Sequence, residues 1–312
     1  MSVDPLGPSY VSRTLDLPSG AIGTLVRHRA GRDSRGAVLY LHGYIDYFFH
    51  GHLAEHFAQR GYDFYAVDLR RCGRSLRPGD AKFYATDLAE WDEELDAAVE
   101  AIRADGHENL VMVGHSTGGL AMPLWLAQRR DLPVSALILN SPWLDLQAPW
   151  VMRTLGTQLV YLVARFKPDL VLPQGVAPAY GDSVHASAHG EWDYDTDWKP
   201  LRGAPMYAGV LAAVRRGQAR VHQGLGLGMP ILLLHSERSR LDLTDWEPAA
   251  QGADVVLDVE QMKQWADRLG PDVTTSAVPG GVHDLFLSAG PARAIAFAAV
   301  DGFLDRVESA GR

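Results

Sequence analysis

Short apolar runs alternate with longer amphipathic stretches along most of the chain. Two early runs, at residues 10–17 and 21–28, are separated by Pro18-Ser19-Gly20, which favours a hairpin. Six further runs predict strands near residues 37–42, 62–68, 110–114, 134–140, 230–235 and 273–278. The stretches between them have helical spacing, most clearly residues 83–104. This order predicts an α/β protein with a mostly parallel, eight-stranded sheet flanked by helices and an antiparallel edge.

The alternation stops between residues 141 and 228, where aromatic residues, glycine and proline become frequent. We therefore predict a core of residues 1–140 and 229–312, with a mainly helical cap (lid) of residues 141–228 inserted after the sixth strand. An apolar stripe in the cap is a candidate lining for a substrate pocket, although such a stripe also fits packing against its own domain. The stripe consists of Val151, Leu155, Leu159, Leu162, Val163 and Phe166.

Composition excludes several classes of protein. The 312 residues are 47% hydrophobic and 21% charged, enough to bury a large core. The formal net charge of −9 disfavours nucleic acid as a partner, because phosphate binding requires a basic surface. No secretory signal or apolar run of transmembrane length is visible, and the single cysteine, Cys72, cannot form an internal disulfide. We expect a cytoplasmic protein without a transmembrane segment, and a homodimer stays open.

The sharpest chemical signal is Gly114-His115-Ser116-Thr117-Gly118, a G-x-S-x-G pattern between an apolar strand and a helical stretch. A serine on such a sharp strand-to-helix turn projects above the sheet, and the two glycines avoid collisions with neighbouring main chain. Ser116 is therefore the candidate nucleophile. A glycine-rich turn without chemistry is the alternative.

A serine hydroxyl becomes a nucleophile only with a base beside it and an acid that orients the base. His283 is the candidate base, because it lies in the glycine-rich loop Pro279-Gly280-Gly281-Val282-His283-Asp284 after the last predicted strand. A loop histidine that merely caps a turn is the alternative.

The acid is harder to assign. In proteins with this kind of serine turn between a strand and a helix, the acid precedes the histidine in the chain. The acid usually follows shortly after the strand at residues 230–235, but this chain has Ser239 at that position. A polar insertion of residues 240–252 follows. We favour Asp254, which comes next, whereas Asp258 fits better as the N-cap of the following helix. The remaining alternatives are Asp242, Asp245 and Glu237.

With these residues the chain resembles the α/β-hydrolase superfamily. Within it, the chain is similar to capped serine hydrolases related to monoacylglycerol lipases, lysophospholipases and the serine aminopeptidase (S33) and proline-iminopeptidase-like enzymes. The resemblance covers nearly the whole chain and includes Leu41-His42-Gly43-Tyr44 and residues 68–75, each after a strand. It implies an oxyanion hole formed by the backbone N–H groups of Tyr44 and Thr117. The chain departs from the family at Ser239, where relatives carry the acid.

The resemblance and the three candidate residues together predict a serine hydrolase that cleaves carboxylic esters through an acyl-enzyme on Ser116. The enzyme would be of the monoacylglycerol lipase or carboxylesterase type, and its partner a small-molecule ester with an apolar acyl group. We expect no cofactor and no metal. The cluster of His50, His52 and His56 lacks the carboxylate-rich surroundings of a metal site.

Two alternatives use the same scaffold. An amide, peptide or lactone hydrolase, or an acyltransferase, could carry the same triad. An aminopeptidase would need carboxylates in the cap to hold a substrate ammonium, and Glu191 or Asp193 could do so. A non-catalytic binding protein is the remaining alternative.

Overall fold

The computed structural model describes residues 2–31, 34–172, 178–203 and 205–310. The strands in these ranges are β1 (Ser2–Asp4), β2 (Gly7–Asp16), β3 (Ile22–His28), β4 (Gly36–Leu41), β5 (Tyr62–Asp68), β6 (Leu110–His115), β7 (Val134–Asn140), β8 (Val171–Leu172), β9 (Met206–Tyr207), β10 (Ile231–Ser236) and β11 (Val273–Val278). Nine of them form one sheet in the order β1-β2-β3-β5-β4-β6-β7-β10-β11. The eight predicted strands are all present, and the three-residue β1 extends the edge.

Strand direction divides the sheet into two parts. The pairs β1–β2, β2–β3 and β3–β5 are antiparallel. The pairs β4–β5, β4–β6, β6–β7, β7–β10 and β10–β11 are parallel. The carboxyl ends of the parallel strands therefore lie along one edge of the sheet, where loops from different strands can meet.

The described helices are α1 (Gly51–Gln59), α2 (Asp92–Ala104), α3 (Gly118–Ala127), α4 (Thr157–Phe166), α5 (Pro178–Val184), α6 (Ala208–His222), α7 (Val259–Ala266) and α8 (Gly290–Ala310). None of them is long and apolar enough to cross a bilayer.

The helix predicted from residue 83 begins later than its apolar spacing indicates. Phe83 has a φ of 57°, outside the helical region, so the chain cannot be helical there. Asp87 then accepts a hydrogen bond from the Ala89 amide at 3.0 Å, and Glu90 accepts one from the Asp87 amide at 3.1 Å. This capping box starts a short 3₁₀ turn, which runs directly into α2.

The core lies on both faces of the sheet. Leu39 and Leu41 of β4 are fully buried on the face covered by α2, α3 and α6. Val38 and Tyr40 alternate with them and are fully buried on the face covered by α1 and α8. Strands buried on both faces have this continuous apolar pattern, typical of a parallel sheet between two helix layers.

The described part of residues 141–228, between β7 and β10, is mainly helical. It contains α4, α5, α6 and the antiparallel two-residue ladder of β8 with β9. Val210 and Val214 of α6 are buried in the same core cluster as Leu120 of α3. The separation of this segment as a cap therefore stays a prediction, because part of it packs into the core.

Candidate active site

Ser116 occupies the turn between β6 and α3. Its φ is 52°, a left-handed conformation that is uncommon outside glycine. Two main-chain hydrogen bonds hold it, from the Ser116 amide to the Asn140 carbonyl and from the Trp143 amide to the Ser116 carbonyl, both at 3.0 Å. A side chain at Gly118 would place its Cβ 2.5 Å from the Leu41 carbonyl oxygen. The turn therefore requires glycine at this position and projects the serine from the sheet edge.

His283 lies beside Ser116 although the two are far apart in the chain. Its loop follows β11, and a 3₁₀ turn over Leu285–Leu287 comes directly after it. The Ser116 hydroxyl is 3.0 Å from His283 Nε2, and His283 Nδ1 is 2.8 Å from Asp254 Oδ2. His283 and Asp254 are 3% and 0% exposed, so water does not compete for these bonds. The structure thus brings together all three residues singled out in the sequence.

The polar insertion explains how Asp254 reaches this position. Strand β10 ends at Ser236, and after the insertion the chain returns so that Asp254 forms a parallel bridge with Ser239. The Asp254 amide donates to the Arg238 carbonyl at 2.9 Å, and the Arg240 amide donates to the Asp254 carbonyl at 2.8 Å. Asp254 therefore lies beside residue 239, although the polar insertion separates the two in the chain.

Ser239 holds the returning chain. Its hydroxyl donates to the Leu257 carbonyl at 2.8 Å and accepts from the Val259 amide at 2.9 Å. The second oxygen of Asp254, Oδ1, accepts the amides of Val256 and Leu257, both at 2.8 Å. These bonds fix the carboxylate so that Oδ2 faces His283.

The structure places the other carboxylates considered for this role elsewhere. Asp258 caps α7, since its Oδ1 accepts the Glu260 amide at 3.0 Å. Asp242 is exposed and pairs with Arg240. Asp245 and Glu237 are also exposed.

Two main-chain amides stand near the Ser116 hydroxyl. Thr117 directly follows the serine and is fully buried at the start of α3. Tyr44 lines the cleft above the serine, and its hydroxyl donates to the Pro205 carbonyl at 2.7 Å, which fixes the side chain. No acceptor in the described ranges takes the amide of Tyr44 or Thr117. Both amides are therefore free to donate to a ligand.

A buried polar network behind the site was not found from the sequence. The Asp284 carboxylate, fully buried, accepts hydrogen bonds from His50 Nε2 at 2.9 Å and from Asn140 Nδ2 at 2.7 Å. His115 Nδ1 donates to the Asn140 carbonyl at 3.1 Å, and burial lowers the pKa of His115 to about 4. Asn140 therefore joins the serine turn, through its carbonyl, to the histidine loop, through its side chain.

The three clustered histidines each have a separate hydrogen-bond partner. His50 binds Asp284, His52 Nε2 donates to the Phe286 carbonyl at 2.8 Å, and His56 Nε2 donates to Asp301 at 2.9 Å. Within the described residues no group of three or more potential ligands is placed to hold a metal ion.

The cleft above Ser116 and His283 has a mixed lining. Apolar side chains and one buried ion pair share its walls, and Asp46 and Lys199 form that pair with a distance of 2.8 Å. The remaining lining residues are Tyr44, Ile45, His115, Tyr180, Gly181, Tyr194, Pro200, Leu201, Gly203 and Val256.

The structure does not support two possibilities raised for the cap. The apolar stripe at residues 151–166 does not line this cleft, and most of it faces outward; Leu155 is 68% and Phe166 73% exposed. The side chain of Asp193 is 97% exposed, and that of Glu191 is 58% exposed and lies 3.5 Å from Arg293. Spacing alone distinguishes an amphipathic helix but not which surroundings its apolar face meets.

A family model described as serine aminopeptidase, S33, matches residues 32–288, a range that contains Ser116, Asp254 and His283. The chain belongs to the S33 serine aminopeptidase family. This membership confirms the resemblance inferred from the motifs.

One curated relative of this S33 chain is Phospholipase YtpA of Bacillus subtilis (strain 168). It is 31% identical over 113 residues, which are 35% of this chain and 41% of the relative. The chain thus matches about two fifths of that protein's length.

Solved structures with a similar fold align with almost the whole S33 chain. A soluble variant of monoglyceride lipase from Saccharomyces cerevisiae, in complex with a substrate analogue, has a TM-score of 0.67 at 19% identity and covers 96% of both chains. Monoacylglycerol lipase from Paleococcus ferrophilus has a TM-score of 0.66 at 21% identity and covers 90% of this chain and 98% of its own. A carboxyl esterase from Bacillus coagulans has a TM-score of 0.68 at 13% identity, with coverages of 96% and 99%. These likenesses confirm the predicted α/β-hydrolase fold.

Proposed function

We propose that this S33 chain is a serine hydrolase that cleaves carboxylic esters through an acyl-enzyme on Ser116. The observation that carries the proposal is the continuous hydrogen-bonded chain from Asp254 to His283 and Ser116, with distances of 2.8 and 3.0 Å. Ser116 and His283 line the cleft, where a carbonyl carbon can approach the hydroxyl, and Asp254 lies buried behind His283. This arrangement has the geometry of a nucleophile, a base and an orienting acid.

The reaction follows from the roles of these groups. Ser116 Oγ attacks the ester carbonyl carbon while its proton passes to His283 Nε2. Asp254, bound to Nδ1, stabilises the imidazolium, and the amides of Tyr44 and Thr117 donate to the oxyanion. The intermediate then collapses, His283 protonates the leaving alcohol, and the acyl group stays on Ser116. Water, deprotonated by His283, attacks the acyl-enzyme and releases the acid.

The similar proteins favour ester substrates, since their names describe lipases, an esterase and a phospholipase. Ile45, Leu201 and Val256 provide apolar cleft surface for an acyl group. The aminopeptidase alternative required carboxylates in the cap, and the exposed positions of Glu191 and Asp193 give it no support. We also propose that residues 141–228 act as a cap, because they supply one wall of the cleft.

The test is turnover of a series of p-nitrophenyl esters by the wild-type protein, Ser116→Ala and the control Ser309→Ala, which changes an exposed serine on α8. Ser116→Ala should lower kcat by at least about 10⁴-fold on every ester, with the melting temperature unchanged. Ser309→Ala should match the wild type. Wild-type kcat in Ser116→Ala would refute the nucleophile. Faster cleavage of p-nitroanilides with the same acyl groups would favour an amide hydrolase.

A further inference from the structure

The ion pair of Asp46 and Lys199 lies in the same cleft as the proposed nucleophile, but the hydrolysis described above does not use it. The residues are 3% and 7% exposed, and Lys199 Nζ is 2.8 Å from Asp46 Oδ2. Removing two charges from water is costly. An ester whose acyl and alcohol parts are pure hydrocarbon offers them no polar atom besides the ester group itself. A function of this ion pair in substrate binding would account for that cost.

The surroundings of Lys199 are aromatic. Its ammonium lies 5.0, 5.6 and 5.5 Å from the ring centroids of Phe49, Tyr180 and Tyr194. An ammonium has three N–H donors, and the one hydrogen-bond acceptor that the described residues provide is Asp46. Lys199 therefore keeps donor capacity that π faces satisfy only weakly.

Two phenol groups of this cluster also lack partners. The hydroxyls of Tyr180 and Tyr194 are buried, and no hydrogen-bond partner for them is found in the described part of the chain. Both residues line the cleft and are 8% and 7% exposed. Burial raises the pKa of each phenol well above its usual value, so both keep their protons. Buried hydroxyls without partners are rare, and each can donate to a bound oxygen atom or to water.

The opposite charges of Asp46 and Lys199 determine which kind of substrate group can bind beside them. Asp46 neutralises Lys199: although burial opposes its ionisation, the lysine charge holds the pKa of Asp46 below its usual value. An anionic substrate group would approach the carboxylate of Asp46, and a cationic group would approach the ammonium of Lys199. An uncharged oxygen atom meets neither repulsion and accepts from the surplus donors.

We propose that Lys199, Tyr180 and Tyr194 form a subsite that binds an uncharged oxygen-bearing group of the substrate. This subsite deepens the ester-hydrolase proposal and rests on it. The preferred esters then carry a hydroxyl, ether or carbonyl group a few atoms from the bond that is cleaved.

The test uses pairs of esters with equal numbers of heavy atoms. On the alcohol side, propyl butanoate is compared with 2-hydroxyethyl butanoate; on the acyl side, ethyl pentanoate is compared with ethyl 3-methoxypropanoate. In at least one pair the oxygen-bearing ester should have a kcat/KM about tenfold higher. Monoethyl succinate and butyrylcholine supply the anionic and cationic comparisons, and both should react more slowly than the preferred neutral ester.

The variants separate recognition from packing. Tyr180→Phe combined with Tyr194→Phe keeps both rings, and Lys199→Met combined with Asp46→Asn leaves no unpaired charge. Each double variant should bring the ratio within the preferred pair to about one. The control Tyr161→Phe, on α4 and outside the cleft, should keep the wild-type ratio.

Equal rates within both wild-type pairs would overturn the subsite, and so would an unchanged ratio in the variants or a faster charged ester. In all of those outcomes the esters are still hydrolysed through Ser116. Failure of the proposed function differs, because either no ester is then cleaved or Ser116→Ala cleaves the esters as fast as the wild type.

Discussion

The assignment of Asp254 as the acid gives the sharpest prediction, because asparagine has nearly the same shape. In Asp254→Asn the amide oxygen can still accept the two main-chain amides at residues 256 and 257, each now at 2.8 Å from Oδ1. The Nδ2 group then faces His283 Nδ1, which must accept instead of donate. The proton of the imidazole moves to Nε2, and Nε2 can no longer take the proton of Ser116.

Asp254→Asn should affect the rate of catalysis more than the stability of the fold. The wrong tautomer should lower kcat by about 10⁴-fold, equivalent to about 5 kcal/mol of activation free energy. Each main-chain hydrogen bond weakens by about 1 kcal/mol when its acceptor loses the charge, so the free energy of unfolding should fall by about 2 kcal/mol. The assays are p-nitrophenyl ester turnover and urea unfolding.

Asp258→Asn is the matched control, because that carboxylate caps α7 and asparagine is also a good N-cap. It should keep wild-type kcat. If Asp254→Asn retains kcat within tenfold of the wild type, the assignment of the acid is wrong, and a loss of kcat in Asp258→Asn would favour that residue instead.

Three further predictions concern stability and the cap. Burial lowers the pKa of His115 to about 4, whereas in the unfolded chain this histidine already binds a proton near pH 6.5. The free energy of unfolding of the wild type should therefore fall by about 3 kcal/mol between pH 6.5 and pH 4. Equal pH profiles for His115→Asn and the wild type in urea titrations would contradict this. Gly118→Ala should cost about 3 kcal/mol by forcing Cβ against the main chain at residue 41, and an unchanged melting temperature would reject that clash. Leu159→Gln, at a side chain 61% exposed, should change stability by less than about 0.5 kcal/mol and leave kcat/KM on short esters unaltered; a large loss of either would place this residue in the core or the site.

The positions of the long strands in the sequence and the serine turn were predictable because local patterns determine them. Apolar runs bounded by turns gave the eight long strands, and two glycines around Ser116 reflect a main-chain approach that any side chain would block. His283 was also identified from its place after the last strand. Its contact with Ser116 could be expected because loops at the carboxyl ends of parallel strands share one edge.

The rest depends on contacts distant in sequence. Nothing local to Asn140 indicates that it binds both the serine turn and the histidine loop, since its partner Asp284 lies 144 positions away. The ion pair of Asp46 and Lys199 spans 153 positions, and the charge of each residue alone predicts an exposed side chain. The outward face of α4 was uncertain for a related reason, because apolar spacing does not name the surface that a helix meets.

Acylation of Ser116 during turnover can be observed by mass spectrometry of protein quenched during hydrolysis of a p-nitrophenyl ester. We expect one acyl group per chain, located on the peptide that contains Ser116, and none in Ser116→Ala. An acyl group on a different residue, or turnover by a wild-type protein that never carries one, would contradict it.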